Sequence, residues 1–431
     1  MKNVTLLIPS SISALTIGLV FFILIFTLSP LTAKYSGTLY SWSYLLFSII
    51  FLYFGLIFGC KKVSFKTRKI QLSVNVKVLK KIFMIIFIIA LVGVILRIVD
   101  KYYIRGASFS IDFESNRLAL SLEGAGFISI VSAMLYPFSF IVIYYYLFLK
   151  RLKEISLLWL FVVAPISLFP VIDGIFFGSR SSSLAYLVLT FLYLFSLNFI
   201  KIKFNLKTIV VFLLLSAMFY LSGLMFSFRS EALGIDPILS TQISAYAEFV
   251  TLDPRWTDFL YSIRSEWSYY FYLGVINFAQ YWVHGVFELV YMVDNFISQK
   301  ATLGGASFFI IFKFFAVIFG FNLDFIVDSQ VRSGIFITFF GPSYYDFLYF
   351  GVIFNFIFGF FVGRLEFKLF RLAKVGLIPI YFFMLIILLF SLVVSFLTGA
   401  QGIYIIVAAY LSHLIANRYL FKKHKIGFNF D

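Results

Sequence analysis

Long apolar runs set the first reading of this chain. Residues 11–31, 41–60, 82–98, 124–149, 155–176, 181–200, 208–227, 343–363, 375–397 and 403–420 are apolar over nearly their whole length. Each approaches the roughly 20 residues that a helix needs to cross a bilayer. The pattern predicts an all-α polytopic membrane protein with ten transmembrane helices, seven in a bundle over 1–227 and three over 343–431. Residues 228–342 break the pattern, because charged and aromatic residues interleave there. Two stretches inside that region, 268–292 and 306–322, are apolar enough to enter a membrane. If both crossed, the chain would have twelve spans, and Lys300 alone would hold the connection between them on the cytoplasmic side. We therefore read them as re-entrant or interfacial helices within one large extracytoplasmic loop.

Composition agrees with the pattern and narrows it. The chain is 62% hydrophobic and 13% charged, about half the charge of a soluble domain, which excludes a water-soluble globular protein. A single cysteine, Cys60, excludes internal disulfides and a cysteine metal cluster. The net charge of +16 is unevenly spread. Of 35 Lys and Arg, 23 fall in the N-terminal residues, 61–81, 150–154, 201–207, 364–374 and the tail after Asn417, together with three of the 19 acids. Retention of basic loops inside the cell makes that side cytoplasmic, with both termini there and 228–342 outside. The basic balance is then a signature of topology, and no nucleic-acid partner is needed to explain it.

Chemistry-bearing residues concentrate on the outer side. Arg180, in GSRSSS at the start of a predicted helix, suits an anion held by free backbone N–H groups and a guanidinium fork. It also fits an interfacial arginine beside a serine cap. Arg229 and Arg332 lie at predicted membrane boundaries, while Arg255 and Arg264 lie farther out, where Asp253, Asp258 and Glu266 are potential partners. Trp256 and Trp267 stand among charges; they are either platforms for a ligand or ordinary interfacial anchors. His284 is the one histidine of three on this side. A helix over 277–292 would place Tyr281, His284, Glu288 and Tyr291 on one face, with Glu288 oriented toward the imidazole. Such an imidazole can serve as a base near neutral pH, with Glu248, Asp253 and Asp346 as rivals. There is no Asp-X-Asp and no His/carboxylate spacing suited to a metal, so no metal or cofactor is expected.

The turn GSR at 178–180, the segment YWVHGVFELV at 281–290 and GIFITFFGPSYYDFLYFGVIFNFIFGFFVGRL at 334–365 resemble the Wzy-type oligosaccharide repeat-unit polymerases, the O-antigen polymerase family. That resemblance implies a glycosyltransferase of the bacterial inner membrane, active on its periplasmic face and acting in polysaccharide biosynthesis. Donor and acceptor would be glycans on undecaprenyl diphosphate, and the partners the bilayer, a chain-length regulator and a flippase. Arg180, Arg229 and Arg332 would then meet diphosphate. Trp256, Trp267, Arg255 and Arg264 would meet glycan, and His284 with Glu288 would take the acceptor proton. No arginine here has the Arg-X10-Gly spacing of some members, so these assignments are positional. RSEAL at 229–233 also fits the Arg-X3-Leu of O-antigen ligases, which keeps that activity as an alternative. A lipid-linked oligosaccharide flippase or transporter is a third, disfavoured because such a protein carries ionisable residues through its helix interiors and these interiors read as nearly charge-free.

Overall fold

The computed structural model describes residues 2–61, 66–108, 113–122, 126–177, 180–200, 206–296, 300–320, 322–332, 336–397 and 399–420. The first part of the chain folds as β1 (Lys2–Ile8), α1 (Ser11–Leu28), β2 (Leu31–Ala33), α2 (Leu39–Cys60), β3 (Arg68–Val74) and α3 (Val76–Ile98). Next come α4 (Phe113–Leu122), α5 (Phe127–Leu135), α6 (Ser139–Arg151), α7 (Trp159–Phe176), α8 (Arg180–Ser196) and α9 (Leu206–Ala232). The central region holds α10 (Pro237–Ile243), β4 (Val250–Leu252), α11 (Pro254–Ser262), α12 (Glu266–Asn295), α13 (Phe309–Phe319) and α14 (Asp324–Val327). The chain closes with α15 (Phe340–Phe347), α16 (Gly351–Leu372), α17 (Ile378–Leu389) and α18 (Ala400–Leu420). The fold is helical, with two short antiparallel ribbons, β1–β3 and β2–β4, that the all-α reading omits.

Among the described residues, six helical segments are long and apolar enough to cross a membrane: Ser11–Leu28, Leu39–Cys60, Val76–Ile104, Phe127–Arg151, Trp159–Phe176 and Phe340–Leu372. Two of the ten predicted spans come out shorter as helices, and the loop run 306–322 is too short to cross. The apolar run 375–397 is helical over a 3-10 turn at Val375–Leu377 and α17, and then unwinds through Ser391–Leu397. The run 181–200 ends its helix at Ser196. The run 306–322 yields only the 11-residue α13, about 16 Å long and half a hydrocarbon core. The 30-residue α12 is long enough, but Asn277, Gln280, His284 and Glu288 interrupt its apolar character and it is not one of the six.

The ribbons mark the two ends of the helix bundle. β1 and β3 pair from Lys2↔Val74 to Ile8↔Arg68, and α1 and α3 start directly beyond them. On the same face, Lys2 and Lys80 each lie 2.8 Å from Glu154, and Asn198 Nδ2 donates to the Thr5 carbonyl at 3.2 Å. Tyr381 Oη donates to the Pro9 carbonyl at 2.8 Å. The first turn of α1 lacks a side-chain cap of its own, and Glu366 of α16 accepts the Ser11 N–H at 2.9 Å instead. The described basic segments thus share one face. At the opposite end, where α1 finishes, β2 pairs with β4 as Leu31↔Leu252, Thr32↔Thr251 and Ala33↔Val250. That pairing fastens the central region to the outgoing end of α1.

Packing follows from residue size. Helices α2 and α16 cross at glycines: a β-carbon on Gly55 would sit 2.1 Å from the Phe356 carbonyl oxygen, and one on Gly359 2.4 Å from that of Leu52. α9 and α12 approach as closely, since a β-carbon on either Gly223 or Gly274 would lie 1.9 Å from a backbone oxygen of the other helix. Small residues at such crossings let backbones meet where lipid supplies no hydrophobic drive. α6 and α17, buried on nearly every side, form the centre of the core with Tyr144, Tyr145, Phe382 and Phe383, as expected of helices apolar all round.

Candidate functional site

The site grows from a polar stripe on an otherwise apolar helix. Asn277, Gln280, His284 and Glu288 follow helical spacing along α12, and all four are buried. Buried polar groups need partners, and this stripe finds them in α10, β4, its own helix backbone and Arg332. Gln280 Nε2 donates to the carbonyls of Thr241 and Val250, each at 2.9 Å. The Tyr246 ring meets His284 edge-on at 4.6 Å. One turn farther along α12, Arg332 Nη1 lies 2.9 Å from Glu288 Oε1, and Nη2 lies 2.5 Å from Glu248 Oε2. Nη2 also donates to the Ala245 carbonyl at 3.3 Å, and the guanidinium rests 4.9 Å above the Phe249 ring. One arginine therefore clasps two carboxylates from different segments.

Beside the clasp lies a cavity of about 140 Å³, lined by Arg332, Gln330, Ser395 and Tyr345 among apolar side chains that include Phe309 and Val394. Typical ligand pockets hold roughly 300–1,000 Å³, so a headgroup fits and an oligosaccharide must extend outside. One wall is the unwound stretch after α17, where Phe339 N–H donates to the Ser391 carbonyl at 2.8 Å and Ser395 N–H to that of Ile337 at 3.1 Å. Irregular backbone at membrane depth is tolerated where protein buries it or where it lines a cavity. A second wall is the 302–308 turn, locked by Asp346 of α15. Its carboxylate accepts from Thr302 Oγ1 at 2.5 Å and from the N–H groups of Ala306 and Ser307 at 2.8 Å. With its lone pairs so engaged, Asp346 fastens the turn that walls the cavity.

Electrostatics separate the two titratable groups of the stripe. Burial pushes the Glu288 carboxyl up to about 7, with Arg332 pulling it down and Glu248 pushing it up. Burial pushes the His284 imidazole down to about 4. His284 Nδ1 lies 2.8 Å from the Tyr281 carbonyl and 3.2 Å from that of Gln280, so Nδ1 carries the hydrogen in the neutral ring. The expected pairing of Glu288 with His284 is therefore not the one formed. The imidazole turns to its own helix backbone, and Glu288 turns to Arg332.

The remaining residues of interest are spread out. α9 runs antiparallel to α12, with Gly223 against Tyr270 and Phe219 against Gly274. Arg229 is thus exposed near the N-terminal end of α12. Glu288 lies 18 residues beyond Tyr270, about 27 Å along the axis, so Arg229 and Arg332 do not converge. Arg180 opens α8, and its side chain lies outside the described residues. Asp253 caps α11 by accepting the Arg255 N–H at 2.9 Å, and the Arg255 side chain, 92% exposed, comes no nearer than 3.8 Å to it. Arg264 is exposed. Trp256 packs edge-on against Phe259 at 5.2 Å, and Trp267 stacks on Phe271 at 5.2 Å. Trp267 stands 21 residues before Glu288, about 30 Å along α12. Sequence reasoning ranked Glu248 only as a rival and passed over Gln280. The helical repeat from Gln280 to Glu288 was the available signal.

No family model, no curated protein and no solved structure matches the chain.

Proposed function

We propose that this chain is a glycosyltransferase that joins polyprenyl-diphosphate-linked oligosaccharide units on the outer face of a bacterial inner membrane, with Glu288 as its base. The observation that carries the reading is the Glu248–Arg332–Glu288 clasp beside a headgroup-sized cavity. It lies at the end of the bundle away from the basic segments, and the tendency of such segments to stay inside the cell supports an outer-face site. An acceptor hydroxyl attacks the anomeric carbon of the donor sugar. Its proton passes to a carboxylate, the new C–O bond forms, and the bond to the diphosphate oxygen breaks with the electron pair leaving on the diphosphate. A carboxyl titrating near 7 is matched to that task at neutral pH. A solvated one would be a weak base. His284, neutral and tied to the backbone, acts here as a positioning residue beneath Tyr246.

Arg332 links charge to chemistry. By lowering the pKa of Glu288, Arg332 keeps a share of the carboxyl ionised, and so able to accept a proton, at neutral pH. The test is the surface glycan of a strain lacking the gene. Glycan reduced to single repeat units is the expected result and complementation by Glu288→Gln should fail to lengthen it. Complete absence of attached glycan points to a ligase, and unchanged long glycan contradicts the proposal.

A further inference from the structure

A second charged cluster lies inside the helix bundle, where the sequence leads one to expect almost none. α3 does not stop at Ile98 but continues as a π-helical turn over Val99–Ile104. The wider turn carries both Asp100 and Lys101 inward, at 1% and 3% exposure. π-turns inside longer helices often mark functional positions. Lys101 Nζ lies 2.6 Å from Asp173 Oδ1 of α7 and 3.6 Å from the centre of the Phe177 ring. Asp100 is shared: Arg105 Nε lies 3.3 Å from one oxygen and Arg97 Nη1 3.8 Å from the other. Ser129 of α5 donates to Asp100 and accepts from Arg105.

The arithmetic of charge points to an anion. Among the described side chains, three cations face two carboxylates, and one carboxylate serves both guanidiniums. Arg105 also donates from Nη1 to the Leu120 carbonyl at 3.5 Å, whereas Arg97 Nε finds no hydrogen-bond partner among the described residues. A cation out of water is costly unless an anion lies close to it, and the Arg97 fork, only 3.8 Å from its nearest carboxylate oxygen, suits phosphate oxygens. Arg97 is the open side of the cluster, at 24% side-chain exposure, with its guanidinium 5.7 Å from the Tyr136 ring. The cluster sits at the end of α3 remote from the β1–β3 ribbon, at the level where lipid headgroups lie against a spanning helix. We propose that Arg97, Lys101 and Arg105 form a second anion site, distinct from the Arg332 clasp, that takes the phosphate of a lipid headgroup.

Binding to the purified full chain in detergent tests this. The probes are farnesyl diphosphate, phosphatidylglycerol and inorganic diphosphate, with phosphatidylcholine as the uncharged control. At least one anionic probe should bind wild type and bind the Arg97→Gln/Arg105→Gln variant at least tenfold more weakly. Both are measured in an Arg332→Gln background, so that the clasp contributes nothing to the binding read. Preference for farnesyl diphosphate identifies a lipid diphosphate as the source. Equal binding of phosphatidylglycerol identifies a phospholipid, and binding of inorganic diphosphate alone overturns the lipid assignment. If the double variant fails to fold, Arg97→Lys decides, because it keeps the charge and loses the fork: binding at least threefold weaker supports the site and unchanged binding overturns it. Equal binding of every anionic probe to wild type and double variant also overturns it. Since the readout is binding, failure here leaves the glycosyltransferase reading standing, and loss of that reading leaves this site standing.

Discussion

In the Arg332→Gln variant, the buried Glu288 carboxylate loses the guanidinium held 2.9 Å from it. Its carboxyl already titrates at about 7, above the ordinary 4.5, because of burial. A folded state that holds a proton more tightly than the unfolded chain is favoured at low pH, so this contribution to stability declines as pH rises from 4.5 to about 7. Above that the wild-type carboxylate ionises beside Arg332 and the decline stops. Arg332 lowers the carboxyl's pKa, so its removal carries the titration upward and the decline continues. A charge pair at about 4 Å is worth roughly 4 kcal/mol at an effective dielectric near 20. With Arg332 only 19% exposed, screening leaves most of that in place, which is enough to keep Glu288 protonated over the accessible range. The variant then forgoes about 1.4 kcal/mol for each pH unit above 7. At pH 5, where Glu288 is protonated in both proteins, the difference falls to the half-exposed Glu248 pair, roughly 0–1 kcal/mol. Thermal unfolding of wild type, Arg332→Gln, Glu288→Gln and the double variant from pH 5 to 9 measures this. The gap between wild type and Arg332→Gln should widen above pH 7 and become pH-independent in the Glu288→Gln background. A gap that is constant with pH, or whose pH dependence survives Glu288→Gln, refutes the reasoning.

Three further outcomes are expected. In a Cys60→Ser background, Lys69→Cys and Lys153→Cys should resist a membrane-impermeant thiol reagent in intact cells while Ser262→Cys reacts; the reverse pattern would invert the topology. Asp346→Asn keeps one acceptor oxygen, now an amide carbonyl, and turns its NH2 toward an N–H that needs an acceptor, which should lower stability by on the order of 2–3 kcal/mol; a change under about 0.5 kcal/mol in denaturation would show that the 302–308 turn does not depend on it. Polymerisation should survive EDTA, because fixed cations are available to neutralise the departing diphosphate; loss of activity restored by Mg²⁺ or Mn²⁺ would place a metal in the reaction.

Several features were legible in the chain because they are local. Apolar runs of membrane length mark α1, α2 and α16, and the crowding of Lys and Arg into a few loops foretells the face on which β1, β3 and Glu154 meet. The helical repeat also places His284 and Glu288 on one side of α12. Other features depend on partners far away in sequence. Asp346 reads as a rival base, yet it locks the 302–308 turn, and Asp294 accepts from Thr38 N–H at 2.9 Å at the start of α2. Glu248 is brought to Arg332 beside β4, whose pairing with β2 joins Thr32 to Thr251 across 219 residues. The π-turn at Val99–Ile104 leaves no mark in hydropathy, although it alone turns Asp100 and Lys101 inward. The break after α17 is equally silent, since the run through Leu397 stays apolar while its backbone unwinds to wall the cavity.

The central claim is that the clasp performs glycosyl transfer, and chain extension in vitro tests it most directly. Purified protein in liposomes, given a single lipid-linked repeat unit, would be followed by gel analysis of the glycan released from lipid. Wild type should convert single units into a ladder of lengths. The rate should rise with pH to a plateau above about 7, the value to which burial brings Glu288, and should fall about 10²–10⁴-fold in Glu288→Gln. A ladder formed by Glu288→Gln at the wild-type rate, or none formed by the folded wild type, would contradict the account.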